Sequence, residues 1–137
     1  MILDAKSQDE FLEQFNSFLD SETSKNTKGI VYIWQTTKPI GRVKGTSPII
    51  YIGQTINTFR SRYKNSNSIK IETNYFERYY KHMIEMYGAI HIEIKQTDNP
   101  KRTEWEELMQ YNKEHKEYPP LNRSIPNEPK ALSEIED

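Results

Sequence analysis

Gly29-Ile30-Val31-Tyr32-Ile33-Trp34 and Ile49-Ile50-Tyr51-Ile52-Gly53-Gln54-Thr55 are the two stretches on which the fold turns. Each has a short apolar run, Ile30 to Trp34 and Ile49 to Ile52, dense in β-branched and aromatic residues. That composition suits a buried strand better than a helix. Between them, residues 35–48 are rich in Pro, Gly, Lys and Thr. This spacing predicts a hairpin with a long cationic loop carrying Lys38, Arg42 and Lys44. Gly53 ends the second run at a point where a side chain would block close approach of a ligand to the backbone.

Outward from the hairpin the periodicity changes from two to near four. Upstream, Ser7 and Glu10 form a capping box, and Phe11, Leu12, Phe15, Phe18 and Leu19 fall on one stripe of an amphipathic first helix. Residues 20–28 are polar and turn-like. Downstream, a short helical segment from Phe59 carries Arg60 and Arg62, and a polar stretch from Asn65 to Asn74 follows. Tyr75, Phe76, Tyr79, Tyr80, Met83 and Ile84 then recur at helical spacing up to a stop at Gly88. Ile90, Ile92 and Ile94 alternate with His91, Glu93 and Lys95, which predicts a half-buried third strand. Pro100 opens a last helix over 101–115, with Trp105, Leu108, Met109, Tyr111 and Asn112 facing inward, and Pro119-Pro120 closes it. The expected fold is α+β, a small three-stranded, mostly antiparallel sheet flanked by helices with an extra N-terminal amphipathic helix. Its parts are a helix and linker over 1–28, the main domain over 29–123, and an acidic tail over 124–137 that reads as mobile or as a docking segment.

A chain of 137 residues suits one domain and one modest core. Two Trp, nine Tyr and five Phe are too many for a disordered chain. No apolar run approaches the ~20 residues that span a bilayer, and the first twenty residues are acidic where a secretion signal would be basic. A soluble, cytoplasmic protein without a membrane partner is expected. The absence of cysteine excludes disulfides, thiolate nucleophiles and cysteine-bound zinc, so any metal must sit on oxygen or histidine. A net charge of −1 weighs against nucleic acid. Locally the balance reverses: Arg60, Arg62, Lys64, Lys70, Arg78 and Lys81 stand against only Glu72 and Glu77, which points to a basic face.

The strand pair, with Tyr32 in one half and Tyr51-Ile52-Gly53-Gln54-Thr55 in the other, resembles the two halves of the GIY-YIG nuclease motif. Phe59-Arg60-Ser61-Arg62-Tyr63 is similar to the arginine helix of that family. The second half matches letter for letter. In the first, Ile30-Val31-Tyr32 occupies the positions of Gly-Ile-Tyr, with Gly29 three residues before the tyrosine. Tyr87-Gly88 before a strand resembles the family's "KYG" step, and Pro119-Pro120-Leu121-Asn122 resembles its closing proline and asparagine, so the likeness runs from Gly29 to Asn122.

The resemblance implies a divalent-metal-dependent DNA endonuclease that hydrolyses phosphodiester bonds, of a restriction, phage or repair type. Tyr32 would be its general base or water-positioning phenol, and Tyr51 the partner phenol. Arg62 would clamp the phosphate and pull the phenol's pKa down from its ordinary ~10. Gly53, Arg60, Lys64, Lys44 and Asn122 would bind substrate, Asn122 being either a site-organising amide or a turn residue. The implied metal is Mg²⁺ or Mn²⁺, on a glutamate of the last helix. Glu104, Glu106 and Glu107 compete for that role. At about 100° per residue Glu104 shares a stripe with Leu108, Tyr111 and His115, whereas Glu106 points nearly opposite and Glu107 lies farther round. Glu104 is therefore the first choice and Glu107 the second. Ser66 stands where many relatives have histidine or lysine, a role that Lys64 or Tyr63 would take over or that would be absent. So bare a domain would draw specificity from its loops or from a homodimer, or have little. The alternatives are a non-catalytic nucleic-acid-binding module that retains the fold, and a protein-interaction domain using its first helix.

Overall fold

The computed structural model describes residues 1–63 and 76–130. Lys64, Ser66, Lys70 and Glu72 lie outside the described residues. The elements in chain order are β1 (Ile2–Leu3), α1 (Gln8–Leu19), α2 (Glu22–Asn26), β2 (Ile30–Gly41), β3 (Thr46–Thr55) and α3 (Phe59–Tyr63). A π-helical turn (Phe76–Tyr80) then runs into α4 (Lys81–Tyr87), followed by β4 (Ile90–Gln96) and α5 (Pro100–His115). The class is α+β, and the sheet is wholly antiparallel in the order β1-β4-β2-β3.

Three strands were expected and there are four. The added one pairs Ile2 with His91 and Leu3 with Ile90, and buries Leu3 completely. Two residues are too few to show an alternation, so only the long-range pairing defines this strand. Residues 20–28 hold a further short helix, whose N-cap Ser21 accepts a hydrogen bond from the Ser24 amide. The stretch 35–48 is mostly strand, not loop: β2 and β3 continue to Gly41 and Thr46, and only 42–45 form the tip. The register explains why the pattern hid this. Gln35 pairs with Ile49 but Ile40 pairs with Ser47, so 36–39 bulge against Pro48 alone. The bulge absorbs Pro39, which has no N–H for the ladder. The Thr36 hydroxyl fills the gap, 2.6 Å from the Lys38 carbonyl oxygen and 3.2 Å from that of Pro48.

Alternation along β2 then sorts the core into two layers. Ile30, Tyr32 and Trp34 face α1, α3 and the Phe76–Tyr80 turn, and Val31 and Ile33 face Leu108 of α5. The first layer is an aromatic cluster around Phe15, whose ring centroid lies 6.1 Å from Trp34, 6.0 Å from Phe59 and 5.3 Å from Tyr63. Most of the α1 stripe is thus buried inside the domain, with Phe11, Phe15, Phe18 and Leu19 buried and Leu12 partly so. On the other layer α5 is set by its ends: Asn99 caps Arg102, Pro100 occupies the first turn, and Lys116 closes it in a left-handed conformation. Gly88 ends α4 with φ +86°, as expected for a stop. Among the described residues no helix is long and apolar enough to cross a membrane.

The packing gives a direct test. Phe15→Ala removes the hub of the aromatic layer and should cost about 3–5 kcal/mol in urea unfolding. Val43→Ala, at a tip residue 73% exposed, should stay within about 0.5 kcal/mol of wild type.

Candidate active site

The site is built at the free edge of β3. On its outer side the segment after α5 adds backbone to that edge: the Leu121 amide donates to the Ile50 carbonyl at 2.9 Å. The next side chain completes the match. Asn122 Oδ1 accepts from the Ile52 amide at 3.0 Å, and its Nδ2 donates to the Ile52 carbonyl at 2.9 Å. Both polar atoms of Asn122 are spent on one backbone residue, so it organises the site and does not reach for substrate.

On the inner side, β3 carries a one-residue bulge at Ile50, because Trp34 pairs with Tyr51 while Gln35 pairs with Ile49. Tyr51, paired with Trp34, faces the aromatic layer by ordinary alternation, and the bulge turns Ile50 to that layer as well. The Tyr51 ring lies 6.2 Å from that of Tyr32, inclined at 32°. Gly53 sits directly opposite Tyr32, inside the strand and not at its end. A Cβ at Gly53 would fall 2.5 Å from Tyr32 Cζ and 2.7 Å from its hydroxyl oxygen. The space left by the glycine is filled by the Tyr32 ring, so packing alone requires glycine there.

Laid across β3 in this way, Tyr32 brings its hydroxyl into hydrogen-bonding reach of both Arg62 and Tyr63 on α3. Tyr32 itself is only 1% exposed and stands behind the cavity wall. In front of it a cavity of about 440 Å³ is lined by Tyr51, Arg62, Tyr63, Glu104, Asn122 and Arg123, among others. Arg62 comes from one face of the sheet and Glu104 from the other, and they meet round the β3 edge.

The charges follow from burial. Glu104 is half-buried with no ion-pair partner among the described residues, and desolvation pushes its pKa up to about 7. Burial also raises the Tyr32 pKa: the Arg62 guanidinium and the hydrogen bonds from Tyr63 and Arg62 pull it down, but by less. The phenol is neutral near pH 7, contrary to the expectation that Arg62 would poise it as a base. Burial works against the charge on Arg62 too, yet the surrounding phenol oxygens of Tyr32, Tyr63 and Tyr51 outweigh that, so it stays protonated.

The remaining expected residues separate clearly. Glu106 lies 3.8 Å from Arg102 and Glu107 lies 4.0 Å from Lys95, so both are surface partners and only Glu104 of the three enters the cavity. Arg60 turns away to the end of α1, where it meets the Leu19 carbonyl at 3.2 Å and Asp20 at 2.5 Å. It ties α3 to a helix C-terminus, where a cation is favoured. Lys44 is an exposed tip residue whose amide donates to the His115 carbonyl at 3.0 Å. His115 is eleven residues beyond Glu104, some 16 Å along α5 at about 1.5 Å per residue, so Lys44 does not share the cavity. Arg42 is likewise occupied, by Glu117 at 2.6 Å and the Tyr118 carbonyl at 2.9 Å.

Tyr63, the last residue of the arginine helix, hydrogen-bonds the Tyr32 hydroxyl. Tyr79, Arg123, Ser124, Ile125 and Pro126 also line the cavity and were not expected there. Part of the tail meets α5: Arg102, two residues from Glu104, donates to the Pro129 carbonyl at 3.0 Å and lies 3.8 Å from Glu128.

Among the described residues no three His, Asp or Glu side chains cluster for a metal. A single carboxylate still suits Mg²⁺ or Mn²⁺, which take much of their coordination from water and phosphate oxygens. Glu104 fits that use: it is unpaired, desolvated, and gains stability as an anion only if a cation comes beside it.

Two tests follow from this geometry. Gly53→Ala should dislodge Tyr32 and cost about 1–3 kcal/mol by thermal or urea melts. For Glu104 the folded pKa of about 7 exceeds the ordinary 4.5, so its contribution to stability is fully present below about 4.5 and lost as pH rises through 7. Glu104→Gln should therefore melt with wild type near about pH 4 and above it near about pH 8. Added Mg²⁺ at the higher pH should raise the wild-type melting temperature alone. Equal melting of both proteins at both pH values would overturn the assignment of a desolvated carboxylate.

No protein-family model, curated protein or solved structure matches the chain.

Proposed function

We propose that this protein is a divalent-metal-dependent DNA endonuclease. The observation that carries the reading is the meeting of Tyr51 and Arg62 with Glu104 at one cavity, from elements on opposite faces of the sheet, with Tyr32 bonded to Arg62 from behind. Phosphodiester hydrolysis adds water to phosphorus and expels an alkoxide, so negative charge grows on the phosphate and leaving oxygens. Residues that clamp the phosphate and hold a cation are what such a transition state needs.

Arg62 offers a planar, permanently charged fork to the phosphate. Tyr32, neutral and buried, holds that fork in place. Tyr51 is the phenol at the cavity wall and orients the attacking water. Glu104 would hold the ion, which when bound would supply a polarised water and neutralise phosphate charge. Because Glu104 must be ionised for this, activity should rise with pH through about 7, and more Mg²⁺ should move that rise to lower pH.

A supercoiled plasmid tests the reading. Nicking or linearisation is expected with Mg²⁺ or Mn²⁺ and not with chelator. Tyr32→Phe, Arg62→Lys and Glu104→Gln should each lower the rate by about 10²-fold or more while the circular-dichroism spectrum is kept. The burial of Tyr32 favours a second reading, a module that binds nucleic acid without cutting it. Salt-sensitive DNA binding with no cleavage in either metal would decide for that.

A further inference from the structure

Arg62 is not the only arginine in the cavity. Arg123 lines it from the segment bound to the β3 edge, and its position is fixed at both ends. Its backbone follows directly on Asn122, which is held by the paired hydrogen bonds to Ile52. Its guanidinium carbon lies 5.1 Å from the centre of the Tyr79 ring and it donates a hydrogen bond to the Tyr79 hydroxyl. Tyr79 is fixed in turn by the turn that seats its neighbour Tyr80 against Trp34, centroids 5.0 Å apart. Side-chain entropy that an exposed arginine would lose on binding an anion is thereby lost in advance.

We infer that Arg123, oriented by Tyr79, binds a second phosphate of the same DNA strand, adjacent to the one held by Arg62. This rests on the endonuclease reading for the identity of the first phosphate. A DNA strand advances ~3.4 Å along the helix axis per phosphate, so a strand with one phosphate at Arg62 must lead the next past the cavity wall. Arg123 stands on that wall and Glu104 is the cavity's one carboxylate among the described residues. The planar fork matches two phosphate oxygens bidentately, and a phosphate contact of this kind carries no sequence preference.

The test separates the two ideas by measuring binding without cutting. Affinity for a fluorescent DNA duplex of mixed sequence is measured in chelator over a range of salt, for wild type, Arg123→Gln, Arg123→Lys and Tyr79→Phe. Arg123→Gln should weaken binding evenly across sequences and flatten the slope of log affinity against log salt by about 1. Arg123→Lys should keep the slope, and Tyr79→Phe should keep it with a smaller loss of affinity. In metal, single methylphosphonate substitutions next to the cut should slow wild type but add nothing to the Arg123→Gln defect. An unchanged slope in Arg123→Gln, or equal sensitivity of both proteins to the neutral linkage, overturns the inference even if wild type cuts. Binding with the expected slope change but no cleavage overturns the endonuclease reading and leaves the second phosphate contact standing.

Discussion

The site depends on one close approach, the Tyr32 ring lying across β3 over Gly53. Any Cβ there would meet the ring within van der Waals contact, so the absence of a side chain at one position of β3 decides where a hydroxyl on β2 can go. From that position the hydroxyl reaches α3 and engages Arg62 and Tyr63. Arg62 would otherwise be a flexible surface cation, with several rotamers to lose on binding an anion. Held against two phenols, it points at the cavity before anything enters. Preorganisation of this kind is what makes a hydrogen-bond donor effective against charge that develops only transiently.

A second constraint sits at the edge of the same strand. An exposed edge displays unpaired backbone groups that invite other chains to pair. Here Leu121 and Asn122 take those groups from Ile50 and Ile52. A full extra strand would have walled off the cavity from α5. An asparagine amide imitates one residue of a strand and then stops, so the edge is satisfied locally while Glu104 still reaches round it. The tail continues along the cavity to Arg102, which brings its two ends to β3 and to the first turns of α5.

Much of this was legible in the sequence, and the failures have identifiable causes. The two apolar runs, the alternation at 90–94, the capping box at Ser7 and the stop at Gly88 all mark real elements, because each is a local signal with a local cause. The fourth strand was missed because Ile2 and Leu3 are strand only through pairing with β4, eighty-odd residues away. The extension of the hairpin was missed because Pro39 and the bulge at 36–39 break the alternation that identifies a strand. Helical register alone put Glu104 nearest the inward face, and the ion pairs of Glu106 and Glu107 give the physical reason those two look outward. Arg60 was placed with the substrate, Arg42 in a cationic loop, and Lys44 in both. Their partners Asp20, Glu117 and His115 lie forty or more residues away, and no window of sequence contains both members of any of these pairs.

Those internal partners also settle what net charge can say about this chain. A formal charge of −1 arises from nearly equal numbers of both signs, but the signs are not equally engaged. Arg42, Arg60 and Arg102 are tied to Glu117, Asp20 and Glu128 in pairs that neutralise each other within the domain. Among the described residues the cavity is lined by Arg62, Arg123 and Glu104, a carboxylate that burial keeps partly protonated near pH 7. On the endonuclease reading, an incoming phosphate would disfavour ionised Glu104 unless a cation arrived with it. Anion and metal would then be coupled through Glu104: each would make the other's binding more favourable, and neither alone would leave the carboxylate, the phosphate and Arg62 all satisfied.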